Sequence, residues 1–167
     1  NAPANISSIF VSELNPHKIW ITCNSSTNRL YVSTDTGTTF VNLSAGLPSL
    51  SARSVVVDER YNPTIYVGMN VGVYYKDTSM TTWLEHGIGL PLVAINELEL
   101  QKLTNKLRVA TYGRGIWQSN LQNIPVLCDS PRNLITLNVT QNFAFLRWNK
   151  SSNDSSYLLE YKPISSS

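Results

Sequence analysis

Arg114 stands between two glycines in Tyr112-Gly113-Arg114-Gly115-Ile116-Trp117, and among the side chains of this sequence it is the one best suited by type to grip a ligand. A guanidinium on a glycine-flanked turn presents forked donors to a carboxylate or a sugar hydroxyl, and Tyr112 and Trp117 add aromatic faces beside it. The plainer account is that the glycines make a tight turn and Arg114 pairs with an acid on a neighbouring sheet. Trp20, Trp83, Trp117 and Tyr112 together suit a sugar-stacking surface. Each also falls where strand packing calls for a large side chain, and core is the favoured expectation. Glycoside hydrolysis needs two carboxyl groups roughly 5–10 Å apart. Asp35 and Asp77 belong to turns, Asp58-Glu59 follows a strand, and Glu97 and Glu99 share one strand face, an arrangement more often solvated or salt-bridged. His17 and His86 lie far apart in the repeat described below, which argues against a zinc site. No G-x-S-x-G, phosphate loop or Cys–His pair in a suitable context occurs. The sequence therefore leads us to expect no catalytic residue, no metal ligand and no cofactor.

The elements that hold these residues are strands. Hydrophobic residues make up 42% of the 167. They come in short runs rich in Val, Ile, Tyr and Trp, separated by Gly, Pro, Asn, Ser and Thr, which is an all-β composition. Charge is sparse, 13 Lys+Arg against 11 Asp+Glu for a formal +2. No basic stripe marks a nucleic-acid partner. No apolar run has the length of a membrane span, and the first residues do not read as a signal peptide. The chain opens inside what reads as a repeat, so a piece of a longer precursor is expected. Cys23 and Cys128 read as two buried thiols rather than a bridge. The N-x-S/T sequons at Asn5, Asn24, Asn42, Asn138, Asn149 and Asn153 are glycan acceptors in a eukaryotic secreted chain and chance in an Asn/Ser/Thr-rich bacterial one.

Two units of about 43 residues align. In the first, Ser8–Ser12, Lys18–Thr22, Arg29–Ser33 and Phe40–Leu43 read as strands, with Asn15-Pro16 at a turn and Gly46-Leu47-Pro48 closing the unit. In the second, Ser54–Val57, Thr64–Gly68 and Gly72–Asp77 follow the same order, with Asn62-Pro63 and Gly89-Leu90-Pro91 at the matching places. A third unit is shorter, with strands at Asn96–Leu100, Lys106–Thr111 and after Gly115. Between the third and fourth strands of the first unit lies Ser33-Thr34-Asp35-Thr36-Gly37-Thr38-Thr39-Phe40. Asp35 suits such a reversal by accepting backbone hydrogen bonds, Gly37 by tolerating positive φ, and the Phe40 ring can cover the turn. A worn copy keeps Asp77 and Trp83 and has Ser79 near the glycine position.

The S-x-D-x-G-x-x-F pattern of Ser33, Asp35, Gly37 and Phe40 resembles the Asp-box of BNR repeats, a folding device rather than a catalytic motif. The order N-P…IYVG…GVYY.D…TTW…GLP…NELEL…KLRVATYGRGIW resembles the C-terminal end of BNR-type, sortilin-like β-propellers from large secreted Bacteroidetes-type proteins, often exported by type IX secretion. The resemblance covers Ile6 to about Leu121, with Ala110–Trp117 its most diagnostic part; it departs in the worn second box and the missing upstream blades. It implies four-stranded antiparallel propeller blades in an incomplete ring at about 6–48, 49–91 and 92–121, the last blade three-stranded. Residues 122–129, with Pro125, read as a linker. From 130 to 167, Ser130–Leu134, Leu137–Thr140, Phe143–Trp148 and Tyr157–Lys162 resemble the start of a fibronectin type III β-sandwich with Trp148 as core anchor. About 40 residues are present where such a domain needs about 90 to 100.

The resemblance implies a non-catalytic scaffold or binding module of a secreted or cell-surface adhesive protein, touching polysaccharide or protein through Arg114, Tyr112 and Trp117. Remaining blades or partner chains are expected to cover its open sheet edges. The first alternative is the C-terminal part of a xyloglucanase- or sialidase-like propeller glycoside hydrolase with its acids upstream. The second is a sortilin-like peptide-binding propeller.

Overall fold

The computed structural model describes residues 3–87, 89–122 and 132–149, and the chain separates into two compact units, Asn1–Ile124 and Pro125–Ser167. The described residues are all-β, with a single helical feature, a 3-10 turn at Lys102–Thr104. The first unit holds three antiparallel sheets. Sheet A runs β1 (Ile6–Val11), β2 (Ile19–Cys23), β3 (Leu30–Ser33) and β4 (Val41–Asn42) in that spatial order. Sheet B repeats the plan with β5 (Ala52–Asp58), β6 (Thr64–Met69), β7 (Val73–Asp77) and β8 (Leu84–His86). Sheet C has β9 (Ile95–Gln101), β10 (Lys106–Thr111) and β11 (Ile116–Asn120). Among the described residues each sheet is open, with edges left at both sides.

Strand alternation assigns the faces. Phe10, Trp20 and Val32 are cross-strand partners and look toward sheet B, where Trp20 and Leu30 join Ala52, Val55, Val57, Val67 and Met69 in one buried cluster with Trp83. The other face of sheet B carries Val56, Tyr66 and Val73, which pack on Ile95, Leu98, Leu107 and Val109 of sheet C. Sheet B is thus covered on both faces, and Val55-Val56-Val57 is apolar without alternation, as a strand buried on both sides must be. Strands buried on one face alternate instead, as Leu98-Glu99-Leu100 does in β9.

The same irregularity starts all three sheets. Ile6 pairs with Cys23 and Ser8 with Thr22, which leaves Ser7 as an extra residue; Arg53 and Asn96 are extra at the matching places. A bulge of this kind sharpens the local twist. It also frees Ser7 to donate its hydroxyl to the Ala52 carbonyl at 2.8 Å, tying sheet A to sheet B. Next to the second bulge, the Ser54 hydroxyl accepts from Leu98 N–H at 3.0 Å, tying sheet C to sheet B.

In the second unit the described residues form one hairpin, β12 (Arg132–Val139) with β13 (Ala144–Asn149). Phe143 and Phe145 meet edge to face at 5.5 Å, and Trp148 is half-buried rather than enclosed. The expected strand Tyr157–Lys162, the linker 123–129 and Cys128 lie outside the described residues.

Candidate functional site

Arg114 sits at the tip of the hairpin between β10 and β11. The turn is closed from inside. Thr111 donates to the Gly115 carbonyl twice, from its N–H at 3.0 Å and its hydroxyl at 2.6 Å. Gly113 and Gly115 have φ of 71° and 74°, and a Cβ on either would meet nothing within 4 Å. Glycine is needed there for the backbone conformation and not for space. Trp117 bends its indole back, Nε1 donating to the Arg114 carbonyl at 2.8 Å, and Tyr112 N–H is held by the Ala94 carbonyl at 2.8 Å. The backbone of the tip is therefore fastened on both sides, while the Arg114 side chain is exposed and pairs with no carboxylate among the described residues.

This differs from two expectations. The salt bridge from Arg114 to a neighbouring sheet is not formed, and Tyr112 and Trp117 are not core residues but 72% and 41% exposed. The physical reason is that β11 is the edge of sheet C among the described residues, and none of them covers the hairpin from that side. Trp20 and Trp83, by contrast, are core residues. The hairpin can offer a planar cation and two aromatic rings to a carboxylate-bearing or hydroxyl-rich surface.

The turn from Ser33 to Phe40 is a closed hydrogen-bond cage. Ser33 Oγ donates to Asp35 Oδ1 and accepts from Gly37 N–H, both at 2.8 Å. Thr39 donates to Asp35 from its hydroxyl at 2.6 Å and its N–H at 2.9 Å. Those bonds from Thr39, then that from Ser33, hold the Asp35 carboxyl down at about 2. Thr36 and Gly37 both take positive φ, and the Phe40 ring lies 3.7 Å from where a Cβ on Gly37 would be. Asp77 is caged differently: its Oδ1 accepts from Ser79 N–H and hydroxyl and from Met80 N–H. No residue of that turn takes positive φ, so a serine serves where the first copy needs glycine.

The remaining acids are structural or solvated. Asp58 and Glu59 belong to a polar seam along the ends of β1, β5 and β9. Ser12 Oγ donates to both oxygens of Glu59 at 2.8 and 2.9 Å. Arg60 forks onto Asp58 at 2.8 and 2.7 Å, then reaches the Lys102 carbonyl at 2.8 Å and Asn105 Oδ1 at 2.9 Å. Lys102 pairs with Glu13, which closes the seam across all three sheets. Burial raises the Asp58 carboxyl, and the hydrogen bonds and charge of Arg60 more than offset it, leaving it below the usual carboxylate range. Glu97 and Glu99 are exposed on the outer face of sheet C, Glu99 directly across from Arg108.

The histidines are separate. His17 Nδ1 lies 2.8 Å from the Thr36 hydroxyl on the Asp35 turn. His86 is buried between Tyr66 and Tyr75, with Nε2 2.8 Å from the Ser119 hydroxyl, and burial lowers it to about 4. No His/Cys/Asp/Glu group among the described residues can hold a metal ion. Cys23 is a buried free thiol, raised by that burial. Arg29, which the sequence marks only as the start of a strand, is buried, held by the Ser44 carbonyl at 2.9 Å and the Ser26 carbonyl, with its Nε unpartnered. The type of residue 29 was plain, but its partners come from turns that no local pattern announces.

Scanned against known protein-family models the chain matches none, and no curated protein matches it. What its fold and sites define is an all-β chain of small antiparallel sheets. No helix among the described residues is long and apolar enough to cross a membrane.

Proposed function

We propose that this chain is a non-catalytic binding module of a secreted or cell-surface protein, and that its hairpin from Tyr112 to Trp117 contacts an acidic polysaccharide. The observation that carries this reading is the pairing of a fastened backbone with an exposed Arg114 side chain that pairs with no carboxylate among the described residues, flanked by the exposed rings of Tyr112 and Trp117, the latter held in place by its bond to the Arg114 carbonyl. Rigid presentation lowers the ordering cost of binding, and aromatic faces with a forked cation suit sugar rings bearing carboxylates. We read the first unit as closing blades of an Asp-box β-propeller. Two four-stranded sheets of one plan followed by a three-stranded one, three matching bulges and the Asp35 cage support that assignment. The second unit we read as the opening of a fibronectin type III domain, on the hairpin of β12 and β13.

The test is retention on immobilised uronate-bearing and neutral polysaccharides, with extracellular matrix proteins alongside. Trp117→Ala and Arg114→Ala each weaken uronate binding about tenfold or more, roughly 1.4 kcal/mol. Arg114→Ala has little effect on a neutral glycan. Retention by matrix protein alone, or variants that bind as well as the parent, would sink the reading.

A further inference from the structure

Between sheets A and B, away from the hairpin, lies a cavity of about 400 Å³. This is within the range of small-molecule sites. Trp20, Ile65, Met80 and Trp83 give it an apolar lining. Two cations reach it from opposite sheets, Lys18 beside β2 and Lys76 in β7. The Lys18 ammonium stands over the Trp20 ring, 4.7 Å from its centroid, and Lys76 Nζ gives one bond to the Thr81 carbonyl at 3.1 Å. An ammonium has three N–H donors, so Lys76 keeps two for a ligand. Asp77 is the one acid in the lining, and its Oδ1 already accepts three bonds from its own turn.

We propose that this cleft binds a small amphiphilic anion, an apolar ring carrying one carboxylate, with the ring against Trp20, Ile65 and Trp83 and the carboxylate between Lys18 and Lys76. Charge complementarity selects the class. A bare hydrated anion gains nothing from the apolar lining, and a neutral apolar body leaves both ammonium groups without an anionic partner, with only the Trp20 ring and the Thr81 carbonyl they already hold. None of these residues belongs to the Tyr112–Trp117 hairpin, so the two sites stand or fall separately.

The four tryptophans make the test direct, since each indole N–H gives one signal in a two-dimensional NMR spectrum of the ¹⁵N-labelled chain. The probe is 2-naphthoate, with 2-naphthalenemethanol as its neutral twin. Naphthoate is expected to shift the Trp20 and Trp83 signals saturably and to leave Trp117 and Trp148 in place. The alcohol is expected to bind about tenfold more weakly, and Lys18→Gln with Lys76→Gln to weaken naphthoate by about the same factor. Both lysines are half-buried, and a spectrum of the free variant that is unchanged apart from signals beside the two substitutions, Trp20 among them, confirms its fold. Three results overturn the proposal: no saturable shift, equal binding of the alcohol, or shifts spread over all four indoles.

Discussion

His86 carries a testable consequence of burial. Its ring is packed edge-on against Tyr66 and Tyr75 at 5.1 and 5.6 Å, and desolvation holds it near 4 where the ordinary value is 6.5. The unfolded chain takes up a proton as pH falls through 6.5, whereas the folded chain does not until about 4. Stability is therefore fully present above 6.5 and declines between 6.5 and 4, by on the order of 3 kcal/mol. Asp35 acts in a lower window, losing its contribution from 3.8 down through about 2. Thermal melts across pH 4–7 should show the first decline in the parent chain and a flatter profile in His86→Gln. An unchanged slope in that variant would mean other groups control it. The role of His86 was not legible in the sequence, because Ser119 lies 33 positions away and the Tyr66 ring comes from another strand. Asp35 and Gly37 were legible, since every partner of that cage lies within four residues.

At the scale of elements, strand alternation and the Asn-Pro and Gly-Leu-Pro punctuation located nearly every strand of sheets A to C, because local periodicity and turn chemistry decide them. The seam through Ser12, Glu59, Arg60 and Lys102 joins residues more than 40 positions apart, so only the stacking of sheets reveals it. Stacking also explains Gly68. A Cβ there would come within 2.6 Å of Ile95 Cγ2 and 2.9 Å of Ile95 Cβ, so sheets B and C touch backbone to side chain. Gly68→Ala should cost about 1–3 kcal/mol by overpacking. In an Ile95→Ala background, which removes the nearer atom, the same change should cost clearly less. Denaturant melts of the four chains measure that coupling. Strict additivity would show that the two sheets slide apart freely instead of resisting.

For the whole molecule, the repeat predicts more burial than is seen at one end. Ile9 and Val11 hold the positions in sheet A that Val55 and Val57 hold in sheet B. Yet they are 61% and 47% exposed where their counterparts are 2% and 1%. Branched aliphatic residues at matching positions cannot disclose which sheet has a neighbour among the described residues; that information lies in the partner and not in the strand. The far side of sheet C differs, presenting Glu97, Glu99, Arg108 and Gln118 to water with Ile116 as the apolar exception. Ile9→Lys with Val11→Lys should therefore lower self-association at high concentration without lowering the melting temperature. Sedimentation at several concentrations measures the first effect, and unchanged association would clear this face of any part in it.

The two unlike ends also decide what form an uncovered chain takes when it does associate. Stacking copies head to tail would press Ile9 and Val11 onto Glu97, Glu99 and Arg108, desolvating charges without providing partners. Meeting head to head matches aliphatic side chains with their own kind, and a two-fold pairing of that sort uses up both sticky surfaces at once. The arrangement is self-limiting. Through this face alone association stops at pairs, and growth beyond them would have to use the open sheet edges instead.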